Sequence, residues 1–63
     1  MALSGREQTV LQLLQTPLTL QEIARELFIS RNTVKTHARA VYRKLGVSSR
    51  AAALDMARRQ QLI

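Results

Sequence analysis

The densest run of chemistry-bearing side chains lies between Ile29 and Gly46, ISRNTVKTHARAVYRKLG, with five Lys or Arg and the chain's one His. On a helical wheel at ~100° per residue, Val34, Ala38, Val41 and Leu45 fall together as an apolar stripe that must face a core. Asn32, Thr36, Arg39 and Arg43 collect on the opposite side. Lys35 lies on one flank, and His37 and Lys44 lie on the other. This outer face has no acidic residue of its own, so no i,i+4 pair neutralises it. The four carboxylates, Glu7, Glu22, Glu26 and Asp55, all lie elsewhere. A donor-rich cationic face of this kind suits a polyanionic partner, most often nucleic acid.

The whole chain repeats that bias, with a formal charge of +6 on 63 residues. It has no cysteine, which excludes disulfides and thiolate metal sites. One histidine and four carboxylates leave little for a metal cage, so neither a metal nor a cofactor is expected. His37 reads as a phosphate donor or a packed ring rather than a ligand. No acid is placed in sequence to orient it, and a deep pocket is not expected at this length, so no catalytic residue and no enzyme activity are expected. The apolar runs are far below a membrane span and no signal-peptide pattern appears. The expected location is the cytoplasm, with no membrane partner.

The elements that must position the cationic face are marked by their own punctuation. Ser4 with Glu7, and Thr19 with Glu22, form two capping boxes that open a first and a second helix. Thr16–Pro17 ends the first, because the residue before proline is pushed out of the α region. Leu18 with Ile23, and Ile29 with Val34, are placed as hydrophobic staples. Ser30 caps a third helix from about Arg31 to Leu45, and Gly46 followed by Val47 fits a Schellman end. A fourth starts near Ser48 or Ser49, carries Ala51, Ala53, Leu54 and Ala57, and ends near Gln60. No strand signal appears. The expected fold is all-α, a four-helix bundle in one domain over residues 1–63.

Only a very short turn, Phe28-Ile29-Ser30, joins the second and third helices. Ala24 lies where they would cross and Ile29 should be buried in the turn, which is helix-turn-helix spacing. A glycine is common where Phe28 stands. In this geometry the second helix of the pair enters the major groove, which admits one helix.

The segments LSGRE…VLQLL, EIARELFIS, NTVKTHARAVYRKLGVSSR and ARRQQLI together resemble the LuxR/GerE-type helix-turn-helix domain, over about residues 3 to 63. That resemblance implies a bacterial transcription regulator's DNA-binding effector domain, excised from or C-terminal in a larger protein. It implies double-stranded DNA as partner, homodimers on DNA through the fourth helix, and contact with RNA polymerase. It also implies that Lys35, Thr36 and Arg39 read base edges. Lys35 and Arg39 can donate to guanine N7 and O6, and Thr36 can offer thymine a methyl or either partner a hydroxyl.

Ser30 and Thr33, with the free amides of the first turn, suit a phosphate. His37, Arg43 and Lys44 read as further backbone contacts, joined by Arg31 and Asn32, which fit either role. Gln21 occupies the place of a lysine that usually contacts phosphate. Leu54 and Arg58 are the candidate dimer contacts, with completion of the core the competing role for Leu54. The QTPLT segment resembles the family's large ATP-binding regulators more than its two-component response regulators. The alternative function is a small basic protein-interaction module that binds nucleic acid without sequence preference.

Overall fold

The computed structural model describes residues 3–63. Four helices follow in order: α1 (Gly5–Leu14), α2 (Leu20–Leu27), α3 (Arg31–Leu45) and α4 (Arg50–Arg59), with no strand among the described residues. Every helix opens on a hydroxyl. Ser4, Thr19, Ser30 and Ser49 each accept from the amide three residues on, which satisfies a donor that helix geometry leaves orphaned. Both expected capping boxes close, with Ser4 N donating to Glu7 Oε1 and Thr19 N to Glu22 Oε1, each at 2.9 Å.

Three helices end in the same way, through a left-handed residue and a long backward hydrogen bond. Ile29 N donates to Ala24 O at 3.1 Å, Val47 N to Tyr42 O at 2.9 Å, and Leu62 N to Ala57 O at 2.8 Å. These are the Schellman bonds that satisfy the last carbonyls. The left-handed residues are Phe28 (φ 57°), Gly46 (φ 73°) and Gln61 (φ 58°). Glycine adopts this conformation freely, whereas a side chain there costs about 1–2 kcal/mol. Phe28 recovers little of that cost by burial, because it is 94% exposed.

The core consists of two clusters with α3 running through both. Val10, Leu14, Ile23, Ala24, Val34 and Ala38 join α1 and α2 to the first half of α3. Leu11, Val41, Leu45, Ala53 and Ala57 join α1 and α4 to its second half. Tyr42 and Leu54 pack against both. Ala24 and Ala38 are small residues in the α2–α3 packing, and both are buried. The wheel expected for α3 therefore holds, with Val34, Ala38, Val41 and Leu45 all buried.

Some details differ from the sequence expectation. Of the apolar residues that α4 carries, Ala53 and Ala57 are buried, Leu54 is half-buried and Ala51 is exposed. Alanine is small enough to sit on either face, so it phases a helix poorly. Ile29 is half-buried rather than buried. Helix α1 stops at Leu14, with Gln15 as its cap, just ahead of the Thr16–Pro17 break.

Two long-range polar contacts fasten α1. Near its start, Lys44 Nζ at the end of α3 donates to Glu7 Oε1 at 2.6 Å. The same carboxylate thus closes the capping box and meets a cation from another helix. At the other end, Arg50 donates from Nε to Leu14 O at 3.0 Å and from Nη2 to Thr16 O at 2.8 Å. The last turn of α1 has no basic residue of its own, so Arg50 supplies the cation that a helix C-terminus favours.

Three measurements test this account. Val41→Ala should lower stability by about 1.5–3 kcal/mol in denaturant unfolding, through lost burial and a cavity; an unchanged midpoint would mean that α3 is mis-phased. Phe28→Gly should raise stability by about 0.5–1 kcal/mol by relieving the left-handed backbone, and a loss of stability would contradict that strain.

The third concerns acid. The Lys44 ammonium, then the Ser4 amide, hold the Glu7 carboxyl below its ordinary 4.5, and the Thr19 amide and hydroxyl do the same for Glu22. A carboxyl depressed on folding stabilises above its unfolded pKa and loses that contribution as pH falls through the folded one. Melting temperature should therefore hold steady down to about pH 5 and decline below it. Lys44→Met should lower melting temperature at neutral pH and make the acid decline shallower. A variant with the wild-type profile would contradict the brace.

Candidate nucleic-acid interface

Helices α2 and α3 form a helix-turn-helix around the three-residue turn Phe28-Ile29-Ser30. Ile29 holds the turn down by packing on the first cluster. Ser30 starts α3, its Oγ accepting from Thr33 N at 3.1 Å and pairing with Thr33 Oγ1 at 2.8 Å. Those two hydroxyls are engaged with each other. The N–H groups of Arg31 and Asn32, which have no intrahelical acceptor by geometry, remain directed out of the first turn.

The apolar stripe of α3 is buried, so the opposite side projects into solvent. Arg31, Asn32, Thr33, Lys35, Thr36, Arg39 and Arg43 are all exposed. Arg31, Lys35, Arg39 and Arg43 recur every fourth residue, about 6 Å apart along the axis. None of these four forms an ion pair among the described residues, where the cation–carboxylate pairs are Lys44–Glu7 and Arg59–Asp55. Thr36 Oγ1 donates back to Asn32 O at 3.0 Å.

His37 and Lys44 are half-buried on the flank of α3. The structure thus separates Lys44 from the other cations: its ammonium is engaged with Glu7, so its first effect is on the fold. Gln21 is exposed in the first turn of α2. Leu54 is half-buried and packs on both core clusters, whereas Arg58 is exposed. Tyr42 is half-buried between the clusters, and burial pushes its phenol above the ordinary 10.0. It stays neutral and packed, away from the exposed face.

Sequence reasoning did not assign Arg50, nor the pairing of Glu7 with Lys44. Both contacts join residues 34 to 37 positions apart, and no local pattern marks them. No group of three or more His, Cys, Asp or Glu is placed to hold a metal among the described residues. No described helix is long and apolar enough to cross a membrane. A groove of about 190 Å³ lies between Leu3, Leu11 and Leu62, away from α3. It is smaller than the ~300–1,000 Å³ of ordinary ligand sites. The exposed side chains of α3 offer charge and hydrogen bonding for recognition.

Comparison with known proteins agrees. Residues 1–57 match the family model for bacterial regulatory proteins of the luxR family. A probable transcriptional regulatory protein NarL from Mycobacterium tuberculosis is 48% identical over 97% of this chain, which spans 28% of that protein. The CsgBAC operon transcriptional regulatory protein of Escherichia coli is 44% identical over 87% of the chain and 26% of that protein. The crystal structure of the response regulator ChrA, from a heme-sensing two-component system, superposes with a TM-score of 0.95 at 51% identity. That match covers all of this chain and 31% of ChrA.

The chain thus spans about a third or less of these relatives. A putative HTH-type regulator of Mycobacterium bovis, of which the chain spans only 7%, is 41% identical. Identity therefore does not favour the large-regulator subclass suggested by QTPLT over the NarL-type regulators. The fold, the exposed cationic helix and these matches converge: the chain belongs to the luxR family of bacterial regulatory proteins, as a helix-turn-helix DNA-binding effector domain.

Proposed function

We propose that this domain reads double-stranded DNA sequence-specifically, with α3 in the major groove, as the effector part of a longer bacterial transcription regulator. The observation that carries this reading is the contrast across α3. One stripe is wholly buried, while the rest of the helix exposes Arg31, Lys35, Arg39 and Arg43 with no carboxylate partner among the described residues. The groove is wide enough for one helix.

Lys35, Thr36 and Arg39 are assigned to base edges. Arg31, Asn32, Arg43 and His37, with Gln21 from α2, are assigned to phosphates, which position the helix without specifying sequence. Ser30 and Thr33 serve a phosphate through the helix N-terminus they cap. Lys44 is assigned to the brace with Glu7 rather than to phosphate. The domain acts in the cytoplasm, without catalysis. Two copies pair on DNA through α4, where Arg58 is exposed and Leu54 offers only its uncovered edge. RNA polymerase is the further protein partner. The exposed Phe28 is the one observation favouring a protein-interaction module instead.

Selection from a random duplex pool, with nonspecific competitor at about physiological salt, tests the reading. An inverted repeat with half-sites about 10 base pairs apart is the expected product. Lys35→Ala and Arg39→Ala should each cost about 1–3 kcal/mol on that site and relax preference at one position. Arg43→Ala should weaken all sequences alike and reduce the slope of log K against log salt by about 0.9. Enrichment of no sequence, with binding that vanishes as salt rises, would leave only nonspecific attraction and favour the interaction module.

A further inference from the structure

The charges of this chain are unevenly placed. They lie at Arg6 and Glu7 and between Glu22 and Arg59, with none from Gln8 to Gln21 or from Gln60 to Ile63. The two uncharged stretches meet in space. Leu3, Leu11 and Leu62, with Gln8, Gln12 and Gln61, line a groove of about 190 Å³ to which α3 contributes no residue. Leu11 is buried at its base, while Leu62 and the three glutamines are exposed around it. An apolar centre, a polar rim and a lack of charge are the composition of an interface core.

The groove also has an unfilled side. Leu3 stands just ahead of the Ser4 cap, where a hydrophobic staple begins, and the other half of that staple falls on Gln8. In α2 and α3 the same two places hold Leu18 with Ile23 and Ile29 with Val34. Leu3 packs on the second cluster and borders the groove, without the apolar partner from its own helix that its counterparts have. The far end of the chain is already used as a wall. Leu62 N donates to Ala57 O at 2.8 Å, which turns the tail back, and Ile63 packs on the second cluster. A cavity of roughly 150 Å³ admits a benzene-sized group, so this groove takes about one large apolar side chain. Glutamine amides both donate and accept, so the rim can pair with an extended backbone.

We propose that the groove seats the segment immediately preceding Leu3 in the longer protein, through one apolar side chain, with its backbone on the glutamine amides. This rests on the reading above that the domain is part of a longer chain, as its relatives are: it spans 28% of one and 31% of another. One side chain in one groove is far less than a stable interface between separate molecules needs. A tethered segment is held at an effective concentration of about millimolar, which compensates for a weak contact. Seated there, the segment leads the rest of the protein away on a side without α3 and leaves the cationic face uncovered.

The test is disulfide trapping in the longer protein, with any cysteine outside residues 1–63 replaced by serine; this stretch has none of its own. Gln12→Cys is paired in turn with a cysteine at each of about eight positions ahead of Leu3, within reach of an extended chain, and at positions beyond Ile63 where the chain continues. Thr9→Cys, exposed on the same helix but outside the groove, is the comparison. One position ahead of Leu3 should close onto Gln12→Cys at least about tenfold faster than any closes onto Thr9→Cys. Leu62→Lys should abolish that difference, and Leu62→Met, which keeps an apolar side chain, should preserve it. Equal rates from the two cysteine positions would overturn the proposal, because tethering alone explains them. So would preferential closure with positions beyond Ile63, or bonds between two copies of the protein. Duplex selection by the same protein tests DNA reading separately: a trapped segment without a selected site strikes that function alone, and a selected site without trapping strikes the docking alone.

Discussion

A helix that must keep one face bare has to be held entirely by the other. That constraint governs this domain. Helix α3 buries Val34, Ala38, Val41 and Leu45 in two successive clusters, one built with α1 and α2 and the other with α1 and α4. Its remaining circumference is left to Arg31, Lys35, Arg39 and Arg43 without carboxylate partners among the described residues. Four like charges on one face repel each other and add nothing to stability. The burial behind them must supply what they do not, and in 63 residues there is little core to spare. The other three helices can be understood as the smallest set that covers this one stripe along its length.

Polar contacts then refine the position set by apolar packing. Glu7 ties the start of α1 to Lys44, and Arg50 ties its end to the start of α4. These contacts draw a carboxylate and two cations away from the exposed face, and they leave the outer row of α3 unneutralised. The turn into α3 is strained at Phe28, where a left-handed aromatic residue stands almost fully in solvent. The Schellman bond from Ile29 and the packing of Ile29 fix that turn whatever residue occupies it. Strain at this point is consistent with a segment shaped for position rather than for stability.

Local signals made most of the fold legible. The two capping boxes, the Ser30 cap and the Gly46 end lie within a few residues of the features they define, and the structure places all of them as expected. The bounds of α3 and its buried stripe follow from the same short-range chemistry. The roles of Glu7 toward Lys44, and of Arg50, were invisible because they join residues that only the tertiary fold brings together. Phe28 is unusual in its turn by sequence, but only the backbone shows that it takes the left-handed conformation glycine would have taken. For the interface, sequence identified the exposed row, and the structure added which members are free to act. Thr36 is back-bonded to Asn32, and Lys44 is already paired.

The function proposed here requires the outer face of α3 to be the surface that meets DNA. The most direct test is amide chemical-shift mapping of the labelled domain as a short duplex is titrated in. The largest changes should fall on Arg31, Asn32, Lys35, Thr36, Arg39 and Arg43, with a smaller set near Gln21 at the start of α2. Changes concentrated instead on α1 and α4, with α3 unmoved, would contradict it.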